Sequence, residues 1–304
     1  MGWTSQDDLI NQITTNGKYD KIIYQKTSDA ATVIAGTWRD LGILGGSVPA
    51  STYAGTSLTF VATDDTWSEG VIPHGGDVST ATKHFLSAGA SIVAAVGAPF
   101  LLMCVDQVGY VPITGADVTG TTGRTITMTA ISNTAAKVDR YANGAGLRAY
   151  FSTEVAPTSG GPNLTAFTYT STAGTPGRAC PVTVGFMTAP IAGAIPHSGP
   201  AATRYAPFLP LAAGDTGIKD LEAFTLSGGT AYTGSGQLVL HLVKPLFTIP
   251  MPVTGLHCMT DFLNAMPSLP RIRDGACLRF LLYQTGATSG SSPIFVEMDY
   301  GYGG

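Results

Sequence analysis

Alternation with a period of two runs through much of this chain. RTITMTAI at 124–131 sets Thr against Ile and Met, and AFTYTST at 166–172 sets Thr against aromatic rings. Successive side chains of a strand point to opposite faces, so both segments read as strands buried on one side. QLVLHLV at 237–243 is nearly continuous apolar, the pattern of a strand covered on both faces. Residues 88–105, AGASIVAAVGAPFLLMCV, carry no charge over 18 positions, near the lower limit for a membrane-spanning helix. Gly97-Ala98-Pro99 and the many small residues predict instead two buried strands about a turn. Helical patterning is confined to two short stretches. SQDDLINQI at 5–13 has Ser5 as a cap, Asp7 and Asp8 in its first turn, and Leu9, Ile10 and Ile13 on one face. TDFLNAMP at 260–267 has Thr260 as its cap and Pro267 as its stop.

Several strings occur twice. GVIPHGG at 70–76 returns as GAIPHSG at 193–199, and Phe85-Leu86 and Phe208-Leu209 follow the two histidines at equal distance. LLMCVDQVGYVP at 101–112 aligns without a gap on VLHLVKPLFTIP at 239–250. RYANGAGLR at 140–148 matches RIRDGACLR at 271–279, and each reaches a tyrosine 22 residues after its leucine: Leu147 to Tyr169, Leu278 to Tyr300. The later copy runs in the order R-x-x-N-G, I-P-H, apolar strand. The earlier copy starts at I-P-H, and its missing opening lies at 271–304. The expected fold is mainly β, with two similar β-sandwich or jelly-roll-like modules and a few short helices. Residues 1–113 plus 268–304 form the first module, completed by the C-terminal strands, and 114–267 form the second. Such closure brings Gly304 near residues 30–57, or else donates the closing strands to a neighbouring subunit.

In I-P-H-x-G, proline fixes φ and holds the preceding isoleucine extended, glycine ends the corner, and histidine can bond a nearby carbonyl. Pro73, His74 and Gly76, and Pro196, His197 and Gly199, are therefore read as structural turns, with Gly144 and Gly275 at the turns entering the paired strands. Neither catalytic nor metal-binding residues are assigned. His84 follows His74, but its copy position offers Ala206 or Pro207. GAGLRA at 144–149 fits a loose dinucleotide fingerprint, yet its copy GACLRF lacks the second glycine and no amphipathic helix follows either. No cofactor is expected. Asp64, Asp65 and Glu69 read as a solvated acidic loop, with scattered hydrolase carboxylates as the remaining enzymatic alternative.

Charged residues make up only 12% of the 304, about half the usual share of roughly 25%. A surface so lean in charge suits a protein covered by copies of itself or by partners. Trp38, Tyr53 and Trp67 are candidate contact aromatics, since such residues concentrate at interfaces. They are also the platforms a carbohydrate-binding module would use. A net charge of −4 gives no footprint for nucleic acid, with Arg148 and Arg279 as single charges. The acidic N-terminus MGWTSQDDLI lacks the form of a secretory signal. Cys104, Cys180, Cys258 and Cys277 show no C-x-x-C spacing and read as buried free thiols formed in a reducing cytoplasm.

GVIPHGGDVSTATKHFL, PFLPLAAGDTG and PSLPRIRDGA, with the opening WTSQDDLINQIT, resemble bacteriophage virion proteins encoded among head genes. The resemblance implies a non-enzymatic shell component: a decoration or cement protein, or a capsid subunit. Implied partners are further copies of the chain, as a homotrimer or other homo-oligomer, and other capsid proteins. The implied location is the virion, after synthesis in the host cytoplasm, with no membrane span and no direct contact to nucleic acid. No long spine helix is evident, which favours decoration over the helix-bearing capsid fold of tailed phages. A double jelly-roll major capsid protein and a receptor- or carbohydrate-binding spike module are the alternatives.

Overall fold

The computed structural model describes residues 5–27, 34–47, 49–67, 70–78, 80–93, 98–118, 124–127, 140–181, 183–199, 207–265, 268–286 and 292–303. In chain order the strands of the first part are β1 (Tyr19–Thr27), β2 (Thr37–Asp40), β3 (Val61–Ala62), β4 (Thr82–Ile92), β5 (Phe100–Ile113) and β6 (Arg124–Thr127). Next come β7 (Arg148–Val155), β8 (Ser159–Ser171), β9 (Arg178–Ala179), β10 (Val184–Gly185), β11 (Ile218–Thr233) and β12 (Gln237–Met251). The last are β13 (Cys258–Asp261), β14 (Arg271–Ile272), β15 (Leu278–Gln284) and β16 (Pro293–Gly303). Among the described residues three short helices accompany them: α1 (Gln6–Thr14), α2 (Gly115–Val118) and α3 (Phe262–Ala265). None is long and apolar enough to cross a membrane. Ser5 caps α1 by accepting the Asp8 amide at 3.1 Å. The cap of α3 is Asp261, which accepts the Leu263 amide at 2.9 Å; Thr260, the expected cap, belongs to β13.

The chain folds as two sandwich-like halves that share a central sheet. That sheet runs β2-β15-β5-β12-β7, with β3 beside the far part of β5. Residues 193–195 close it. They bond β7 through Gly193 N–H to Thr153 O (2.7 Å) and Thr153 N–H to Ala194 O (2.9 Å). On their other side they bond β2 through Asp40 N–H to Gly193 O (2.7 Å) and Ile195 N–H to Trp38 O (3.0 Å). The result is a small barrel without a free edge along this ring. A front sheet, β1-β16-β4-β13 with β14 on β4, and a back sheet, β10-β8-β11-β6 with β9 on β8, pack against its outer wall.

Alternation explains the layers. In β12, Leu238, Leu240 and Leu242 face the back sheet, where they meet Phe167, Tyr169, Leu221 and Phe224. Val239, His241 and Val243 point into the barrel. The strand slips register at Pro245, where a missing N–H is tolerated, and beyond it Phe247, Ile249 and Met251 face the front core. That core also holds Phe85, Leu102, Cys104, Phe280 and Val296. Both faces of β12 are thus covered, which is why its sequence is apolar almost throughout.

β16 lies between β1 and β4, and β15 between β2 and β5, so the end of the chain completes the front half. Its last described residues sit beside Lys18 and Thr82, with Tyr302 N–H bonded to Lys18 O at 3.1 Å, rather than near residues 30–57. Gly304 lies outside the described residues. The halves are related by an approximate two-fold. Asp106 and Lys244, matched positions in the aligned strings, are cross-strand partners, so the axis passes between them. Tyr300 and Tyr169 occupy matching places: each gives its hydroxyl to an aspartate, Asp20 at 2.8 Å and Asp215 at 2.7 Å.

The two I-P-H strings do not match. Ile72 N–H bonds Leu278 O at 3.0 Å, but the residue that bonds Leu147 O is Ile218, at 3.2 Å. The later string closes the barrel next to Trp38. A short identity in glycine-rich sequence therefore marks two different corners.

Candidate functional site

The corners themselves are fully engaged. His74 gives its Nε2–H to Ala276 O at 2.9 Å, while Lys83 donates to its Nδ1 at 3.2 Å and to His74 O and Gly76 O at 2.6 Å each. Burial, reinforced by the Lys83 ammonium, lowers the His74 pKa. In the second corner His197 Nε2 accepts the Phe151 amide at 3.0 Å. Gly76 (φ 71°) and Gly199 (φ 124°) end the turns beyond Pro73 and Pro196. Among the described residues no three His, Cys, Asp or Glu converge as metal ligands.

The barrel interior holds a polar cluster that the sequence did not single out. Asp40 Oδ2 accepts from Tyr53 at 3.0 Å and Tyr150 at 3.1 Å, and Oδ1 accepts the Gly42 amide at 2.7 Å. His241 gives Nδ1–H to Gln107 Oε1 at 3.1 Å and accepts from Ser152 at Nε2 at 2.7 Å. Arg279 donates to Gln107 Oε1 at 2.6 Å, and also to the Tyr53 and Ser51 hydroxyls. Burial raises the Asp40 pKa, but the Arg279 charge and then His241 outweigh it and hold the carboxyl below its usual range. Burial pushes His241 down to about 3, against the opposing pull of Asp40, so it is neutral. Serine, histidine and aspartate meet here without relay geometry. Ser152 and Asp40 (3.7 Å) both approach Nε2, whereas a nucleophilic relay needs them on opposite nitrogens. The cluster is sealed from solvent and serves to fix the barrel.

Two of the expected contact aromatics belong to this interior. Trp38, 5% exposed, packs on Tyr283 with ring centroids 5.4 Å apart, and Tyr53 is buried against Tyr110 and His241. The correction follows from barrel closure, which turns β2 inward. Trp67 is half-buried and caps one end, 5.4 Å from Tyr110 and under the Arg279 guanidinium at 5.5 Å. Asp64 is exposed and Asp65 half-buried in the preceding loop, and Glu69 lies outside the described residues. Cys104 and Cys277 are buried, while Cys180 and Cys258 are partly accessible; all four are free.

The exposed candidate is the outer face of the front sheet. Ile23 (74% exposed), Val93, Leu256, Met259 (57%) and Phe295 stand out from β1, β13, β16 and the adjoining ends. Register places Ile23, Glu297, Gly89 and Met259 in one row across four strands. A polar seam crosses between them. Lys21 lies 3.6 Å from both Glu297 and Asp299, and His257 lies 3.3 Å from Glu297. Tyr19 and Ser87 each give a hydroxyl to Asp299 at 2.6 Å. The bond to Asp299, aided by burial, pushes the Tyr19 phenol up to about 12. The back sheet presents Thr165, Ala166, Thr168, Thr170, Ala223, Thr225 and Ser227 instead, with no large exposed hydrophobic on β8 or β11.

No protein-family model and no curated protein matches the chain. Among solved structures, those of infectious bursal disease virus, Gx and Gt strains, are similar over 96% and 97% of this chain and 86% of each of theirs. The identities are 10% and 9%, and the TM-score is 0.17 for both, a weak likeness to viral structures. The functional reading rests on the face itself.

Proposed function

We propose that the chain is a structural component of a bacteriophage virion, acting on or in the capsid shell as a decoration, cement or capsid protein rather than as an enzyme. Its working surface is the outer face of the front sheet, and its partners are copies of itself, as a trimer or other homo-oligomer, and other capsid proteins. The supporting observation is the set of exposed apolar residues, Ile23, Met259 and Phe295, on the outer side of a well-paired sheet. Isolated exposed hydrophobics are ordinary on protein surfaces, but several on one sheet face, interleaved with a polar seam, suit burial by a partner. The phage assignment comes from the sequence resemblance. Of the two tryptophan platforms a carbohydrate-binding spike would use, Trp38 lies inside the protomer and Trp67 is half-buried.

The test is the mass of the purified chain in solution, alone and with capsids. The expectation is a defined oligomer or capsid-bound species that dissociates when Ile23→Lys and Met259→Lys are introduced together. A strict monomer that ignores capsids overturns the reading.

A further inference from the structure

Beside the pseudo-two-fold axis, at the junction of the two halves, is a cavity of about 380 Å³. Its charged lining is entirely basic: Lys244 from β12, Arg271 from β14 and Arg273 just after it. Among the described residues no carboxylate lines it. The nearest buried acid, Asp106, is already matched, accepting two bonds from Arg140 at 3.0 and 3.1 Å and one from the Tyr141 hydroxyl at 2.8 Å. Asp274, next to Arg273, instead accepts the Val78 amide at 3.3 Å. Two of the cations share one aromatic ring, with Arg273 5.2 Å and Lys244 5.8 Å from the Tyr141 centroid.

The cluster has dedicated space. Gly146, whose φ of 73° favours glycine, lies directly beneath the ammonium: a Cβ there would fall 1.9 Å from Lys244 Nζ and push the lysine aside. Lys244 makes a 3.2 Å bond to Ala145 O and, among the described residues, no ion pair. Its pKa is lowered by burial and then by repulsion from Arg273 and Arg148, with no acid opposing. Like charges held together at a partly buried wall, in a chain whose net charge is −4, are a destabilising arrangement until an anion sits among them.

We propose that this cavity is a binding site for a compact multivalent oxyanion, held by Lys244, Arg271 and Arg273. Arginine forks and a lysine point charge are the donors that phosphate and carboxylate groups both accept. The site is a single pocket, not the basic stripe that tracks a nucleic-acid backbone. It stands independently of the assembly reading, since the front outer face takes no part in it.

Calorimetric titration of the full chain with inorganic pyrophosphate, and separately with citrate, tests this at ionic strength matched with sodium chloride. Saturable binding at one anion per chain is expected, together with a raised unfolding temperature. Arg273→Gln and Lys244→Met should each weaken it at least tenfold, and the exposed Arg271→Gln, which has no packing to lose, about threefold. A preference for pyrophosphate identifies the natural ligand as phosphate-bearing, and equal or tighter binding of citrate identifies a carboxylate source. Absence of saturable heat with both anions overturns the proposal. So does binding that Arg271→Gln and Arg273→Gln leave unchanged.

Discussion

Compare the two sheets that flank the barrel. On their inner sides they are built alike: Tyr300 opposes Phe85 in the front sheet as Tyr169 opposes Leu221 in the back, and both tyrosines anchor to an aspartate. On their outer sides they differ. The front displays Ile23, Phe295 and Met259, and the back displays threonine, alanine and serine with the acids Asp220 and Glu222. Inner residues answer to one shared barrel wall, where close packing restricts volume and shape. Outer residues answer only to what lies beyond the protomer. The two faces of one duplicated plan thus differ in chemistry only where the shared barrel no longer dictates it.

That comparison can be broken at several points. The barrel serves both halves, so the largest expected effect comes from its neutral histidine. An unfolded histidine titrates near ~6.5, and His241 folded near 3, so its contribution is fully present above pH 6.5. It is lost as pH falls toward 3, by roughly 5 kcal/mol across that window. Urea midpoints measured at several pH values should fall accordingly, and His241→Gln should flatten the slope. Next, Phe85→Ala in the front core and Phe224→Ala in the back should each cost about 3–5 kcal/mol. A large inequality between the two would show that one half is stable without the other.

A subtler test uses matched glycines. Gly144 (φ 73°) and Gly275 (φ 68°) precede Leu147 and Leu278 by the same three residues. Left-handed backbone alone costs a non-glycine residue about 1–2 kcal/mol. A Cβ on Gly144 would also lie 2.0 Å from Ile218 O, whereas one on Gly275 meets nothing nearer than 3.7 Å. Gly144→Ala should therefore destabilise clearly more than Gly275→Ala in thermal melts. Smallest in stability, within about 0.5 kcal/mol, are the surface changes Ile23→Lys and Thr168→Lys. They should separate in sedimentation: the first weakens self-association about tenfold, and the second leaves it unchanged.

Local patterning carried much of the architecture. Alternating Thr and aromatics located β8, and the unbroken apolar run at 237–243 reported a strand covered on both sides. The equal Leu-to-Tyr spacing told that β15 and β16 repeat β7 and β8. What stayed hidden was long-range. Gly193-Ala194-Ile195 has no strand signature, so barrel closure, and with it the burial of Trp38, was not visible. Copied I-P-H strings looked equivalent because identity along a chain says nothing about hydrogen-bond partners. The cationic cavity draws on Lys244 from β12 and on Arg271 and Arg273 from a segment 27 residues further on, with Arg148 nearby, and no run of basic residues announces it.

The placement of β16 between β1 and β4 also sets an order of events during synthesis. β1 and β4 emerge from the ribosome long before the strand that must join them, and β2 and β5 wait likewise for β15. Until then one edge each of β1, β4, β2 and β5 stands open, and their pairing carries the loop-closure cost of distant contacts. A nascent or truncated chain is thus the aggregation-prone form. Arrival of β15 and β16 commits the protein to its finished shape.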